Sequence, residues 1–254
     1  MKIDYYLIDP TGNMTVIVTS PVDPSLRRST ALELMKTEPA AEQVGFLDTD
    51  ACSLNMAGGE FCGNASMSAA AVLAFEENYC GKVMLSVSGA GKPVAVEVLP
   101  CDGNFKGKVL MPLPREIRTV AFPEGDSFTE LPTVFFEGIS HIIAGPDMTP
   151  DRAEKNIARW CKMLGADGLG IMSVSDDMSS MTPLVYVPAA GTMFFESSCA
   201  SGTAAVGAYY ASLSNKPVKL DILQPGGKLT IEAEKSRLLL TGTVKIIKKA
   251  GINY

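Results

Sequence analysis

The chain has 254 residues, 46% hydrophobic and 20% charged, with a formal net charge of -6 and a single histidine, His141. This composition excludes a disordered chain, and no apolar run reaches the roughly 20 residues that a membrane helix needs. The charge is spread without a Lys/Arg cluster and the histidine stands alone, so a nucleic-acid partner and a His-rich metal centre are not expected; an amino-acid-sized small molecule is.

Met1-Lys-Ile-Asp carries an acid early and runs into an alternating strand pattern over Ile3 to Leu7, unlike a secretory leader, which predicts a cytoplasmic protein. A second strand is predicted over Met14 to Thr19. Asp23-Pro24 places an acceptor before a proline at the first helical position and predicts an amphipathic helix over Ser25 to Thr37. The next helical segment, Asn64 to Phe75, is rich in Ala and Ser and predicts a buried central helix, because such side chains allow close approach. Strands follow over Val83 to Val87 and Val94 to Leu99. Prolines punctuate Pro112 to Arg118, which sets a boundary between a first domain, 1–115 joined by a final strand at 245–254, and a second, 116–244. Thr149-Pro150 then starts a helix over Asp151 to Leu164, Gly202 to Leu213 repeats the small-residue helix, and strands close the chain over Leu229 to Ala233 and Leu238 to Val244.

The two halves carry the same order of parts. Cys62 and Cys199 each introduce a small-residue helix, followed by a strand, a Gly-Lys turn (Ser88-Gly-Ala-Gly-Lys92 and Gln224-Pro-Gly-Gly-Lys228) and another strand. The intervals from cysteine to lysine differ by one residue. Gln43-Val-Gly-Phe-Leu and Asp167-Gly-Leu-Gly-Ile form a further matched pair upstream. Duplication explains this spacing and predicts two cysteine-led helix starts brought to one cleft.

The six cysteines include no C-x-x-C pair, so all are expected as free thiols, most of them buried as small hydrophobes. Cys62 and Cys199 depart from that default by standing at helix starts. A helix N-terminus favours the thiolate and offers free N–H groups to a carboxylate, and two such thiols can remove an α-proton from one face of a carbon and return one to the other. Gly63 and Asn64 on one side, and Ser201, Gly202 and Thr203 on the other, leave room for a ligand against the backbone.

These strings resemble the diaminopimelate epimerase and proline racemase superfamily, whose members carry a C-G-N type motif in the first half and a C-G-[ST]-G type motif in the second. Asp9-Pro-Thr-Gly-Asn13 is similar to the family's N-terminal asparagine loop, and Ile139-Ser-His141 to its N-P-H segment. The resemblance spans nearly the whole chain. It implies an α+β fold of two pseudo-symmetric domains, each a curled, mostly antiparallel, barrel-like sheet around a central helix, with no cofactor, no metal, and assembly as a homodimer. Within the superfamily, Glu42-Gln-Val-Gly-Phe46, Glu60-Phe-Cys-Gly-Asn-Ala65, Pro183-Leu-Val-Tyr-Val-Pro188 and Gln224-Pro-Gly-Gly227 are similar to histidine racemases of opine-type metallophore pathways. The site residues so implied are Cys62, Cys199, His141 and Glu196 for proton transfer. Asn13, Glu42, Asn55, Gly63, Asn64, Ala200, Ser201 and Gly202 are those implied for substrate.

Two departures bear on the substrate. The arginine that precedes the second cysteine in diaminopimelate epimerases is absent from Glu196-Ser-Ser-Cys199, which removes the partner of a distal carboxylate, and Ala200 replaces the glycine that follows that cysteine. Other readings of the same residues are epimerisation of diaminopimelate or another amino acid, a Cys-His hydrolase, or a binding protein that has lost activity. A pyridoxal-phosphate racemase would require a Schiff-base lysine and a phosphate cradle, and neither is evident.

Overall fold

The computed structural model describes residues 2–78, 80–189 and 191–253. The chain divides into two compact units, Met1–Leu110 with Thr241–Tyr254, and Met111–Leu240.

The first unit holds β1 (Lys2–Pro10), β2 (Thr15–Val18), α1 (Arg27–Thr37), β3 (Gln43–Asp48), β4 (Ser53–Met56), α2 (Gly63–Glu77), β5 (Gly81–Val87), β6 (Val94–Cys101) and β7 (Asn104–Met111). The strands neighbour one another in chain order. The last strand of the chain, β16 (Arg237–Asn253), follows β7 and also pairs antiparallel with β1, which closes the sheet on itself. Closure leaves no open edge. Successive residues of β1 are buried on both faces because each face has its own helix. Ile3, Tyr5 and Leu7 meet Ala31 and Leu34 of α1, while α2 packs against β1, β2, β5 and β6. Residues 63–74 of α2 are all buried. Where α2 carries the long side chain of Met67, β7 makes room with a glycine: a Cβ on Gly107 would lie 2.9 Å from Sδ of Met67.

Pro24 starts α1 as expected, with Asp23 accepting from the Ser25 N–H, but its first turn is a separate 3-10 turn at Pro24–Leu26 and the α-helix begins only at Arg27. Asp23 satisfies one early donor, and a tightened turn satisfies the next.

The second unit holds β8 (Glu116–Glu124), β9 (Ser127–Phe135), β10 (Ser140–Ala144), α3 (Pro150–Leu164), β11 (Leu169–Val174), β12 (Met181–Val187), β13 (Thr192–Phe195), α4 (Ala200–Ser214), β14 (Val218–Gln224), β15 (Gly227–Glu234) and the start of β16. β8 to β13 also lie side by side in chain order, and β14 meets the residue before β12 through a parallel bridge between Ser180 and Leu223. Ala153, Ile157 and Trp160 of α3 pack on Phe122, Ile142, Leu169, Ile171 and Leu184. The small-residue helix α4 packs against β9, β10, β11, β14 and β15.

The units repeat one plan. β2 and β3 are parallel neighbours linked through α1, as β10 and β11 are through α3; β4 and β12 then return antiparallel. The central helices are 15 residues each, both end at an asparagine in the left-handed region, and both are followed by a seven-residue strand whose residues are buried in the same alternation. Among the described residues β13 has no counterpart in the first unit. Among the described residues no helix is long and apolar enough to cross a membrane.

Candidate active site

Cys62 and Cys199 occupy the same local structure. Each is the N-cap of a central helix, with an extended backbone (φ -131°, ψ 116° and φ -121°, ψ 109°) that turns the side chain back over the first turn. Each sulfur accepts a hydrogen bond from the backbone N–H three residues on, Ala65 and Gly202, both at 3.3 Å. Four residues on, a hydroxyl donates to the cysteine carbonyl: Ser66 at 2.7 Å and Thr203 at 2.6 Å. Both sulfurs therefore sit at the positive end of a helix dipole, each held by a first-turn N–H.

The Gly-Lys turns explain why the spacing after each cysteine matches. In the first unit Ser88 donates to the Glu60 carbonyl at 3.0 Å and accepts from the Met56 N–H, while Gly89 (φ +69°) lies so close that a Cβ would stand 2.3 Å from the Phe61 nitrogen. In the second, Gln224 accepts from the Cys199 N–H at 2.8 Å and donates to Thr203, and the Gly226 N–H donates to the Ser197 carbonyl at 2.7 Å. Each turn thus grips the segment that leads into the cysteine. A change in loop length would displace the sulfur.

Around Cys62 the polar side chains form one chain of contacts. Cys62 Sγ donates to Gln43 Oε1 at 3.1 Å; Gln43 Nε2 donates to Asn13 Oδ1 and to Thr15 Oγ at 2.9 Å; Asn13 Nδ2 donates to Glu42 Oε2 at 2.6 Å. Asn13 and Thr15 are buried and Glu42 half-buried. The structure thus brings Asn13 and Glu42 together with Cys62, joined by Gln43 and Thr15, two residues that sequence reasoning left out. Gln43 stood inside the string Glu42-Gln-Val-Gly-Phe46, but its facing toward the thiol depends on the parallel register of β2 and β3, which pairs Thr15 with Gln43. Gly63 and Asn64 are buried in the first turn of α2. Asn55 lies elsewhere: its neighbours Leu54 and Met56 line the face that Gly45 would crowd, whereas Asn55 pairs with Phe46 on the α1 side, in a groove of about 530 Å³ with Arg27 and Asp48.

Around Cys199, Ser201 Oγ stands 3.6 Å from the sulfur, Ala200 and Gly202 are buried, and a Cβ on Gly202 would meet Met172 Sδ at 2.1 Å. Burial pushes the Cys199 thiol well above its ordinary pKa; the charge and hydrogen bond of Glu196 add to this, and the Ser201 hydroxyl and Gly202 N–H oppose it. His141, on β10, is fully buried, its ring edge-on to Phe136 and its Nδ1 2.3 Å from where a Gly170 Cβ would be. Among the described residues neither ring nitrogen has a hydrogen-bond partner, and burial alone carries the imidazole down to about 3, so it is neutral at physiological pH. No group of three His, Cys, Asp or Glu side chains converges as a metal site among the described residues.

The chain as a whole is similar to known racemases. A protein from Fusobacterium nucleatum subsp. nucleatum named histidine racemase is 32% identical, with 98% of this chain and 96% of that protein aligned, and a histidine racemase from Staphylococcus aureus is 28% identical over 93% of this chain and 90% of that one. Among solved structures, a hydroxyproline epimerase from Agrobacterium vitis superposes with a TM-score of 0.69 at 10% identity, over 99% and 92% of the two chains. A phenazine biosynthesis PhzF-family protein from Enterococcus faecalis gives 0.63 at 16% over the whole of both, and at such identities these two show the fold alone. Residues 2–253 match the family described as the histidine racemase CntK N-terminal domain, and the chain belongs to that family.

Proposed function

We propose that this chain is a histidine racemase that interconverts the L and D enantiomers with Cys62 and Cys199 as its two bases and without a cofactor. The observation that carries it is the matched pair of N-cap cysteines, each sulfur held at 3.3 Å by a first-turn N–H, in a member of this family. One cysteine, as thiolate, takes the α-proton. The other, as thiol, delivers a proton to the opposite face, and the sulfurs exchange protonation states. A negative charge grows on the substrate carboxylate as the α-proton leaves, and free N–H groups at a helix start suit that charge.

Histidine is favoured over a diacid by Glu42 and by the missing arginine. Burying a second carboxylate without a charge partner costs several kcal/mol, whereas an imidazole N–H meeting the Glu42 carboxylate gains about 1 to 3 kcal/mol. Asn13 orders that carboxylate by donating to one of its oxygens. The cytoplasm and an opine-type metallophore pathway are the setting proposed for the reaction.

Incubation of the purified protein with L-histidine in deuterated water, followed by NMR and chiral chromatography, tests the assignment. Loss of the α-hydrogen signal with D-histidine appearing is expected, unaffected by a chelator or by exhaustive dialysis. Efficient epimerisation of diaminopimelate with no turnover of histidine would overturn the substrate, and exchange lost on dialysis would overturn the cofactor-free chemistry.

A further inference from the structure

The hydrogen bonds that end at Cys62 have a direction. The Thr15 hydroxyl donates its one proton to the Asn13 carbonyl at 2.9 Å, so toward Gln43 it accepts. A carboxylate only accepts, so Asn13 presents its amide nitrogen to Glu42 and its oxygen to Gln43. Both neighbours therefore require the nitrogen of the Gln43 amide. Its oxygen is left facing Cys62 Sγ at 3.1 Å, and an amide oxygen cannot donate. The proton in that contact belongs to sulfur.

We propose that Gln43 is a positioning residue that keeps Cys62 protonated in the resting protein, the sense of its amide being fixed by Thr15, Asn13 and Glu42. A thiolate at Cys62 would face the lone pairs of Oε1, and turning the amide to meet it would break the bonds to Asn13 and Thr15 together. The second unit lacks this device. There Gln224, from the Gly-Lys turn, spends its oxygen on the Cys199 N–H and its nitrogen on Thr203, and the sulfur meets Ser201, the Gly202 N–H and the Glu196 carboxylate.

The inference rests on the two-thiol reading of the site, and its test does not depend on turnover. Full-length protein is alkylated with iodoacetamide across a pH range, and Cys62 and Cys199 are followed separately by peptide mass spectrometry. In Gln43→Met, which keeps length but removes the acceptor, the midpoint of Cys62 alkylation is expected to fall by about one pH unit, a roughly tenfold faster reaction near neutral pH, with Cys199 unmoved. Thr15→Val, which only frees the amide to turn, should move Cys62 the same way by less, and it carries the test if Gln43→Met fails to fold. An unmoved Cys62 midpoint in folded variants overturns the proposal. A shifted midpoint in a protein that does not exchange the α-hydrogen of histidine upholds the role of Gln43 and removes the racemase assignment instead.

Discussion

A sulfur atom at a helix N-cap is a poor place to replace with oxygen. Cys62→Ser and Cys199→Ser retain the cap hydrogen bond from the first turn, since serine is a good N-cap, so the fold is expected to persist. Racemisation, measured by chiral chromatography, should fall about 100- to 10,000-fold in each variant, because a hydroxyl is far too weak an acid to alternate between base and donor. Near-normal turnover in either would end the two-thiol mechanism. Glu42→Ala should lower kcat/KM for histidine far more than for alanine; equal losses would mean that Glu42 acts only through its bond to Asn13. His141 makes a different prediction, of stability. Its pKa is lowered from 6.5 to about 3 by burial, so between those values the unfolded chain binds a proton that the folded one refuses. The folded state is therefore favoured fully above about pH 6.5 and progressively less as pH falls toward 3. Denaturant unfolding near pH 7 and near pH 4.5 should show wild type losing about 2 to 3 kcal/mol more than His141→Leu over that interval. Parallel losses would show that the imidazole is reached by water or a partner.

The elements owe their positions to caps and to small residues. Thr149 accepts from the Arg152 N–H at the start of α3, and Thr149→Ala is expected to cost about 1 kcal/mol in denaturant unfolding, with no effect on racemisation. α3 then buries Trp160 completely, its ring 4.9 Å from that of Phe122 and its indole N–H donating to the Pro123 carbonyl at 2.9 Å. α4 depends on the opposite property. A Cβ on Gly207 would lie 2.6 Å from Cγ1 of Ile231, so Gly207→Val should overpack the α4–β15 contact and lower stability by about 1 to 3 kcal/mol. Because the same helix carries Cys199 at its N-cap, activity should fall with it even at temperatures where the protein stays folded. A thermal melt unchanged by Gly207→Val would show that the interface yields.

At the scale of the molecule, the chain leaves the first unit at Leu110 and returns to it at Thr241, partway along β16. Removing 241–254 takes away the strand that pairs with β1 from Lys2 to Pro10, so the closed sheet is expected to open and α2 to lose its hydrogen-exchange protection, while α4 and α3 keep theirs. Equal loss in all three helices would mean that the units fold as one. Much of this plan was legible in the sequence. The two cysteines, the small-residue helices and the near-equal intervals to the Gly-Lys turns are local facts, and they follow from duplication because each turn has to reach back to the same segment before its cysteine. Asp23-Pro24 and Thr149-Pro150 marked helix starts for an equally local reason, the chemistry of the first turn. β3, β4 and β7 to β13 were not read as strands, since many are short or carry a proline, as β12 does at Pro183, and their pairing is decided by partners distant in the chain. Asn55 was assigned to the site because it lies near a binding position of the resembled family, but the alternation of β4 sends it to the α1 side. Gln43 was passed over because nothing local marks a side chain that a parallel register turns toward a thiol. Composition and spacing placed two thiols at two helix starts; only the register of β2 against β3 decided which side chain accepts the hydrogen bond of the Cys62 thiol, because a hydrogen bond needs two atoms within about 3 Å and a chain fixes that only when it is folded.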